Sequence, residues 1–300
     1  MIPEFPQFKT LEASDQEEIQ KFTRGYPPYS DYNFVSLWCW GTEDNIKLSQ
    51  LNQNLVMEFP DYITGKKFYS FFGAHKLEET IATLFAAART ENLPLMMKLI
   101  PEANFQHGFP KKFTVVPDRD NFDYVYSVER IRDYPGTKLS AKRNYVHQFQ
   151  KKYTGEVREL NLRSRDDYQA IEKLFYLWAA GKKLPPAETD HEHKAISRLL
   201  KLPDLRNLCG WGLYIKNTLT AFWVLEVLDD KFAMSHFQKA QFRDYVGITP
   251  YFMQQCAVLL AERGVELINN EQDVGLPGLR EAKEDYHPVG YLKKFVITPA

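Results

Sequence analysis

Cysteine is scarce in this chain of 300 residues: Cys39, Cys209 and Cys256 stand far apart, with no C-x-x-C spacing. That excludes a disulfide framework and a cysteine metal site, and it fits a reducing compartment in which Cys209 and Cys256 are buried apolar residues. Long apolar runs are missing too. No stretch approaches the roughly 20 residues of a membrane span, and Met1-Ile-Pro-Glu-Phe-Pro has no basic segment followed by an apolar one. The expectation is a soluble, unexported, cytoplasmic protein without a transmembrane segment. Nor is there an excess of charge. The formal net charge is -1, so no global field draws nucleic acid or acidic lipid, and an anionic partner has to be held by a local patch. What is plentiful is core material: 44% hydrophobic and 14% aromatic residues suffice for two fused domains.

Along the first half, Ser14 with Glu17 reads as a capping box opening a helix that ends near Gly25. The aromatic run 32–40 reads as a buried helix. Residues 46–51 and 55–59, joined through Asn52-Gln53-Asn54, read as a β-hairpin. A strand at 68–72, a helix at 77–89 with Ile81, Leu84, Phe85 and Ala88 in register, and a strand at 95–100 come next. The second half repeats this plan from Gly155. At one constant offset Asp15, Ile19, Lys21 and Phe22 fall on Asp167, Ile171, Lys173 and Leu174, although Leu11 falls on Arg163, so the architecture is duplicated more than the sequence. A helix at 167–180, a Pro185-Pro186 break, a helix from about Glu192, three antiparallel strands turning at Asn217-Thr218 and Asp229-Asp230, and a helix from Pro250 to Arg263 complete it.

Between the halves, residues 136–153 read as a helix with Tyr145, Val146, Phe149 and Tyr153 on its buried side. Lys138, Lys142, Arg143, Lys151 and Lys152 have no acidic residue among them. Solvated helices usually mix signs for i, i+4 support, so this one is a candidate phosphate-binding face. The other rich stretch comes after Gly264. Val265 to Ile268 reads as a buried strand that empties into Asn269-Asn270-Glu271-Gln272-Asp273, and Gly275, Pro277 and Gly278 turn it into a helix closed by His287-Pro288. In open α/β sheets, ligands bind beyond the carboxyl ends of strands, which makes the paired carboxylates candidates for acid–base work. The same residues fit a capped loop.

Antiparallel strands, a glycine loop, a helix, a parallel strand, a helix and a last strand at 291–297 is the order of a GNAT-type acyltransferase domain. The loop Arg243-Asp-Tyr-Val-Gly247-Ile-Thr249 stands where such a domain cradles a pyrophosphate, with one extra residue and a threonine in place of the last small one. Gly247 before a helix N-terminus still suits an anion. Asp190-His191-Glu192-His193 reads as a solvated loop and not as metal ligands, since i and i+2 do not share a helix face. His236 reads as a core or rim histidine within a strand.

Lys142-Arg143-Asn144 with Phe149, and the run from Asn270 to Pro288 with Glu271, Asp273, Gly275, Gly278, Arg280, Lys283, Tyr286 and His287, resemble the bacterial family related to the C-terminal domain of phosphatidylglycerol lysyltransferase. The resemblance spans essentially the whole chain. It implies an α/β fold of tandem duplicated GNAT-like domains, akin to the Fem peptidyltransferases, which take an aminoacyl group from a charged tRNA.

The expectation is a first GNAT-like domain at 1–136, a basic connecting helix at 137–154, and a second GNAT-like domain at 155–300 that carries the site. The chain would be an acyltransferase moving an acyl or aminoacyl group from a charged tRNA or another phosphorylated donor to a small-molecule, peptide or lipid-headgroup acceptor. An acyl-coenzyme A-dependent N-acetyltransferase and an inactive ligand-binding GNAT fold are the alternatives. Glu271 or Asp273 would act as base and Tyr286 as proton donor. Lys138, Lys142, Arg143, Asn144, Gly247, Arg280 and Lys283 would hold donor or phosphate. The sequence implies no metal site and no certain cofactor; acyl-coenzyme A is the one cofactor considered.

Overall fold

The last strand of the chain completes the first sheet, and this decides how the halves are built. The computed structural model describes residues 1–43, 45–61, 64–202, 205–228 and 231–300; the turn expected at Asp229-Asp230 lies outside them. Unit 1 holds Met1–Asp123, Gln272–Pro277 and Tyr291–Ala300, and unit 2 holds Tyr124–Glu271 and Gly278–Gly290. Contiguous domains divided at 136 and 155 are therefore not what the chain forms: the first cut falls at Asp123, and the C-terminal segments return to unit 1.

Unit 1 begins with β1 (Lys9–Thr10), α1 (Gln16–Thr23), α2 (Phe34–Trp40), β2 (Lys47–Leu51), β3 (Asn54–Pro60), β4 (Lys67–Phe72), α3 (Leu77–Thr90), β5 (Met97–Pro101) and β6 (Phe113–Pro117). The β2–β3 turn is Asn52-Gln53, both with positive φ, as a tight hairpin requires. The capping box lies two residues earlier than the sequence implies. Glu12 and Asp15 form it, because Ala13–Asp15 is a short 3-10 helix ahead of α1. The face of α3 carrying Ile81, Leu84 and Phe85 packs on Val56, Tyr69, Phe71, Met97 and Ile100.

The chain continues through β7 (Asp123–Ser127), α4 (Val128–Asp133), α5 (Ser140–Lys152), β8 (Gly155–Glu159), α6 (Arg165–Lys182), α7 (Pro186–Leu200), β9 (Leu208–Ile215), β10 (Thr218–Val227), β11 (Phe232–Ala240), α8 (Ile248–Glu262), β12 (Leu267–Asn269), α9 (Pro277–Glu284), β13 (Gly290–Leu292) and β14 (Lys294–Pro299). The two sheets run β1-β2-β3-β4-β5-β14-β6 and β8-β9-β10-β11-β12-β7-β13. Position by position they are the same sheet, antiparallel up to the fourth strand and parallel between the fourth and fifth. In each, the strand next to the fifth belongs in sequence to the other half. β7 comes after β6 in the chain yet sits in the second sheet; β14 comes after β13 yet sits in the first. The single strand expected at 291–297 is thus two strands in two sheets.

The repeat is visible in the side chains. Ile19 of α1 and Ile171 of α6, one offset apart, are both fully buried. Helix α7 runs through Asp190-His191-Glu192-His193, which the sequence reads as a loop. Pro186 takes the first helical position, where a missing N–H costs nothing, so the Pro-Pro pair starts the helix and does not separate it from that stretch.

β14 is held in unit 1 by charge as well as by its ladders. Lys294 is fully buried, ion-paired with Asp31 and 2.7 Å from Asp123 Oδ1, and both carboxylates are fully buried as well. Burial alone lowers a lysine pKa, but here the two carboxylates outweigh it and raise Lys294 above its usual value, so the pair stays charged.

Candidate functional site

In unit 2 the sheet opens at its parallel seam. β11 pairs with β12 only from Phe232 to Met234, against Leu267 to Asn269. Beyond Met234 the ladder between β11 and β12 ends, and the two strands part. On the other edge Val224 pairs with Phe237 and Leu225 with Ser235, so His236 is the extra residue of a β-bulge. A bulge re-aims the side chain it carries. His236 Nε2 lies 3.6 Å from Glu226 Oε2 and its Nδ1 lies 3.9 Å from Glu271 Oε1. His236 and Glu226 are buried, and Glu271 keeps 19% of its side chain exposed, so the carboxylate is the member of the three that solvent reaches.

Glu271 is held there by its own loop. The Asn269 side-chain carbonyl accepts from the Glu271 N–H at 2.8 Å, and Glu271 takes a left-handed φ of 53°. Lys283 of α9 donates to the backbone carbonyls of Asn270 and Glu271, the latter at 3.2 Å. Strained backbone of this kind persists only where its surroundings over-determine it.

The corresponding seam in unit 1 is sealed. β4 and β5 pair only at Tyr69 and Met97, but side chains fill the seam beyond that pair. Ser70 Oγ donates to the Lys98 carbonyl at 2.6 Å. Tyr32 Oη and Asn104 Nδ2 both donate to the Phe71 carbonyl, at 3.0 and 2.9 Å, and the Gly73 N–H donates to Asn104 Oδ1. Backbone acceptors and the Gly73 donor are thus taken up by side chains along that seam.

The structure separates the two carboxylates that the sequence pairs. Asp273 is fully buried in unit 1, where Oδ2 accepts from Arg119 at 3.2 Å and Oδ1 from the Gly275 N–H at 2.8 Å. It shapes a turn with Val274 at φ 47°. Tyr286 is buried among Tyr126 and Tyr134, with the Lys142 ammonium 4.0 Å from its ring centre. Burial, helped by Asp285, pushes its phenol well above the usual value, so it stays protonated but lies in a core.

The basic helix divides likewise. Lys142 is buried against Asp285 and the Tyr286 ring, and Arg143 donates to the Tyr134 carbonyl and, at 2.7 Å, to that of Gly136, closing the end of α4. These two charges hold α5 in place. Lys138, Asn144, Lys151 and Lys152 are exposed, Arg280 is half-buried, and Tyr145, expected inside, is 46% exposed. Gly247 opens α8 with φ 79°, and a Cβ there would lie 2.1 Å from the Tyr145 carbonyl oxygen. The backbone of α5 therefore packs closely on one side of the residue that opens α8.

The family model of the C-terminal part of phosphatidylglycerol lysyltransferase matches residues 23–298. The chain belongs to this family. No curated protein matches it in sequence. A conserved protein of unknown function from Bacteroides thetaiotaomicron has a similar structure over 100% of both chains, at 24% identity and a TM-score of 0.82. L-PGS from Bacillus licheniformis is similar over 100% of this chain and 94% of its own, at 14% identity and a TM-score of 0.59. FemX is similar over 97% of this chain and 96% of its own, at 8% identity and a TM-score of 0.53. These likenesses show the fold, which is the tandem GNAT-like, Fem-like one that the sequence resemblance implied. The family's description is that of a lysyltransferase. Among the described residues no helix is long and apolar enough to cross a membrane, and no His, Cys, Asp and Glu cluster could hold a metal.

Glu226 is the residue that sequence reasoning missed, and His236 is one that it read as a core or rim histidine and not as part of a site. Glu226 stands between Leu225 and Val227 in β10, and His236 between Ser235 and Phe237 in β11. A buried ionisable residue in a central strand is the one local signal that could have marked them.

Proposed function

We propose that the chain transfers an acyl group, specifically an aminoacyl group, from a charged tRNA or another large phosphorylated donor to an amine or hydroxyl acceptor, at the open seam between β11 and β12. Glu271, with His236 and Glu226 behind it, takes the proton of the acceptor N–H or O–H as its lone pair attacks the ester carbonyl carbon. In this reading, charge that develops on the carbonyl oxygen is met by polar groups at the mouth of the seam. The C–O bond to the donor then breaks, and the leaving oxygen recovers the proton from the same cluster. The acceptor class is a small molecule, a peptide or a lipid headgroup.

One observation carries the choice of donor: the Tyr145 carbonyl packed on Gly247. A coenzyme A pyrophosphate needs close approach to that turn, and α5 packs against one side of it, whereas a donor anchored on exposed Lys138, Lys151 and Lys152 does not need it. Calorimetric titration with acetyl-coenzyme A and, separately, with aminoacylated tRNA tests the reading. Binding of the charged tRNA and no heat with the thioester is the expected result. Tight coenzyme A binding with no response to tRNA would favour the N-acetyltransferase alternative and overturn it.

A further inference from the structure

A sheet edge is where a strand can pair with another chain, and among the described residues the two sheets end on β1, β6, β8 and β13. Shortness or charge blunts β1, β8 and β13: the first and last are two and three residues long, and β8 carries Glu156, Arg158 and Glu159. β6 has neither protection. Phe113-Thr114-Val115-Val116-Pro117 holds no charged side chain, and its aromatic and β-branched residues suit a strand. Its free edge follows from the ladder with β14. The Asp118 N–H donates to the Lys294 carbonyl at 2.8 Å, and Val116 and Thr114, at alternate positions along the same ladder, lie opposite Val296 and Thr298, so these residues turn their backbone groups to β14. Phe113 and Val115 turn theirs outward, as does the Pro117 carbonyl; Pro117 has no N–H to offer. Apolar side chains border this edge. Val116 is 46% exposed and Phe109 55%, and the Phe109 ring rests on Phe295, the residue opposite Pro117, with ring centres 5.4 Å apart.

We propose that β6 is the interface of a homodimer, in which two copies of this chain pair their β6 edges antiparallel about a twofold axis at Val115. In that register Val115 of each copy exchanges both backbone bonds with the other, and the Phe113 N–H donates to the Pro117 carbonyl of the second copy. The edge is self-complementary in charge as well. Lys112 comes opposite Asp118 of the second copy on each side of the axis, at the spacing of a cross-strand pair. Lys112 is 78% exposed, with a surface contact to Glu78 at 3.3 Å. Asp118 is half-buried at the end of the strand, where burial pushes its carboxyl above the ordinary value, so a cation brought to it across the axis is favourable. Thr114 meets Val116 of the second copy and covers that exposed side chain. Centring the pair on Thr114 instead would set Lys112 against Val116 and lose both charge pairs, so charge specifies the register. An extended peptide of another protein could use the same backbone groups, but a second copy brings the matching cation and anion by symmetry. The pairing uses unit 1 alone and holds whatever group the open seam of unit 2 transfers.

Sedimentation equilibrium of the full chain is the test, with amide exchange followed over the same concentrations. The mass should rise from one chain to two between about 1 and about 100 μM, the range of a small interface. The amides of Phe113 and Val115 should exchange more slowly as concentration rises, while those of Thr114 and Val116, bonded to β14, stay slow throughout. Lys112→Glu should weaken the dimer about tenfold by setting like charges opposite each other. Lys112→Glu/Asp118→Asn should recover most of that loss, which a change in folding would not do. Val115→Pro removes an N–H from the outer side of an edge strand, where proline is tolerated, and should weaken the dimer about thirtyfold through the two exchanged bonds. Should that variant melt early, the Lys112 variants decide. A chain that stays monomeric at about 100 μM, a dimer that none of these variants weakens, or exchange at Phe113 and Val115 that ignores concentration would overturn the proposal. So would a monomer whose Phe113 and Val115 amides are protected only by an added extended peptide of other sequence, which would make the edge a peptide site.

Discussion

In the proposed reading Glu271 and His236 move the acceptor's proton. Glu271→Gln and His236→Gln should each lower turnover about 10²- to 10⁴-fold, the range for a positioned acid–base group, with the unfolding midpoint moved by only a few degrees. Steady-state transfer assays beside thermal melts check this; a variant that melts early and loses activity in proportion would make the cluster structural. Asp273→Ala should do the reverse. It strips Arg119 and the Gly275 N–H of their shared acceptor in unit 1, which costs about 1–3 kcal/mol in urea unfolding. Asp61 supplies a pH test at the same scale. Burial works against its charge, but the Lys98 ammonium at 2.7 Å and the Thr64 N–H and hydroxyl at 2.9 Å outweigh it and hold the carboxyl at about 2, below its ordinary 3.8. A depressed folded value means stability that is full above 3.8 and lost as pH falls to 2. Asp61→Asn should therefore be about 1–2 kcal/mol less stable than the parent at neutral pH, and the difference should vanish in unfolding curves near pH 2.

Helix α5 carries two sets of charges with different work. Lys142 and Arg143 are spent inside unit 2, on Asp285, the Tyr286 ring and the carbonyls ending α4. Lys142→Ala with Arg143→Ala should lower the melting point before it touches any ligand. The exposed Lys138, Lys151 and Lys152 should behave oppositely, each substitution to Ala reducing the slope of log affinity for charged tRNA against log salt by about one while stability holds. Slopes unchanged across the set would leave α5 as scaffold only. Gly247→Ala is the sharpest change available in α8, since its Cβ would meet the Tyr145 carbonyl and its φ of 79° disfavours any side chain. It should displace α5 and appear as a lower midpoint with faster amide exchange along 140–152.

For the whole chain, the exchange of β7 and β14 makes neither half self-sufficient. A fragment ending near residue 136 lacks β14, so β5 and β6 lose the strand that pairs with both. It also lacks Lys294, leaving Asp31 and Asp123 as buried carboxylates without their cation, a loss of about 3–5 kcal/mol where a buried pair is broken. A fragment starting at 155 lacks β7, the neighbour of β12. Both should be poorly folded by circular dichroism and amide exchange, while a chain cut within the loop between β6 and β7 and expressed as two pieces should reassemble. Independent folding of 1–136 would refute the exchange as a stabilising device.

The sequence by itself determined much of this protein: hairpin β2–β3, the amphipathic face of α3, the acid-free run of α5, the repeat that places Ile171 on Ile19, and the long motif that marks the family. All of these are local periodicities or fixed spacings, which a chain displays without folding. Only the tertiary structure decided which strand joins which sheet, because β7 and β14 pair with partners far away in sequence and look locally like any other strand. It also decided the site. Glu271 and Asp273 are two residues apart in the chain, yet the loop sends one to His236 in unit 2 and the other to Arg119 in unit 1. Glu226 and His236, ten residues apart, meet because β10 and β11 pair side by side and a bulge turns the histidine toward the carboxylate. Charge on α5 was legible, but which lysines were already neutralised within the fold depended on where Asp285 and Tyr286 came to rest.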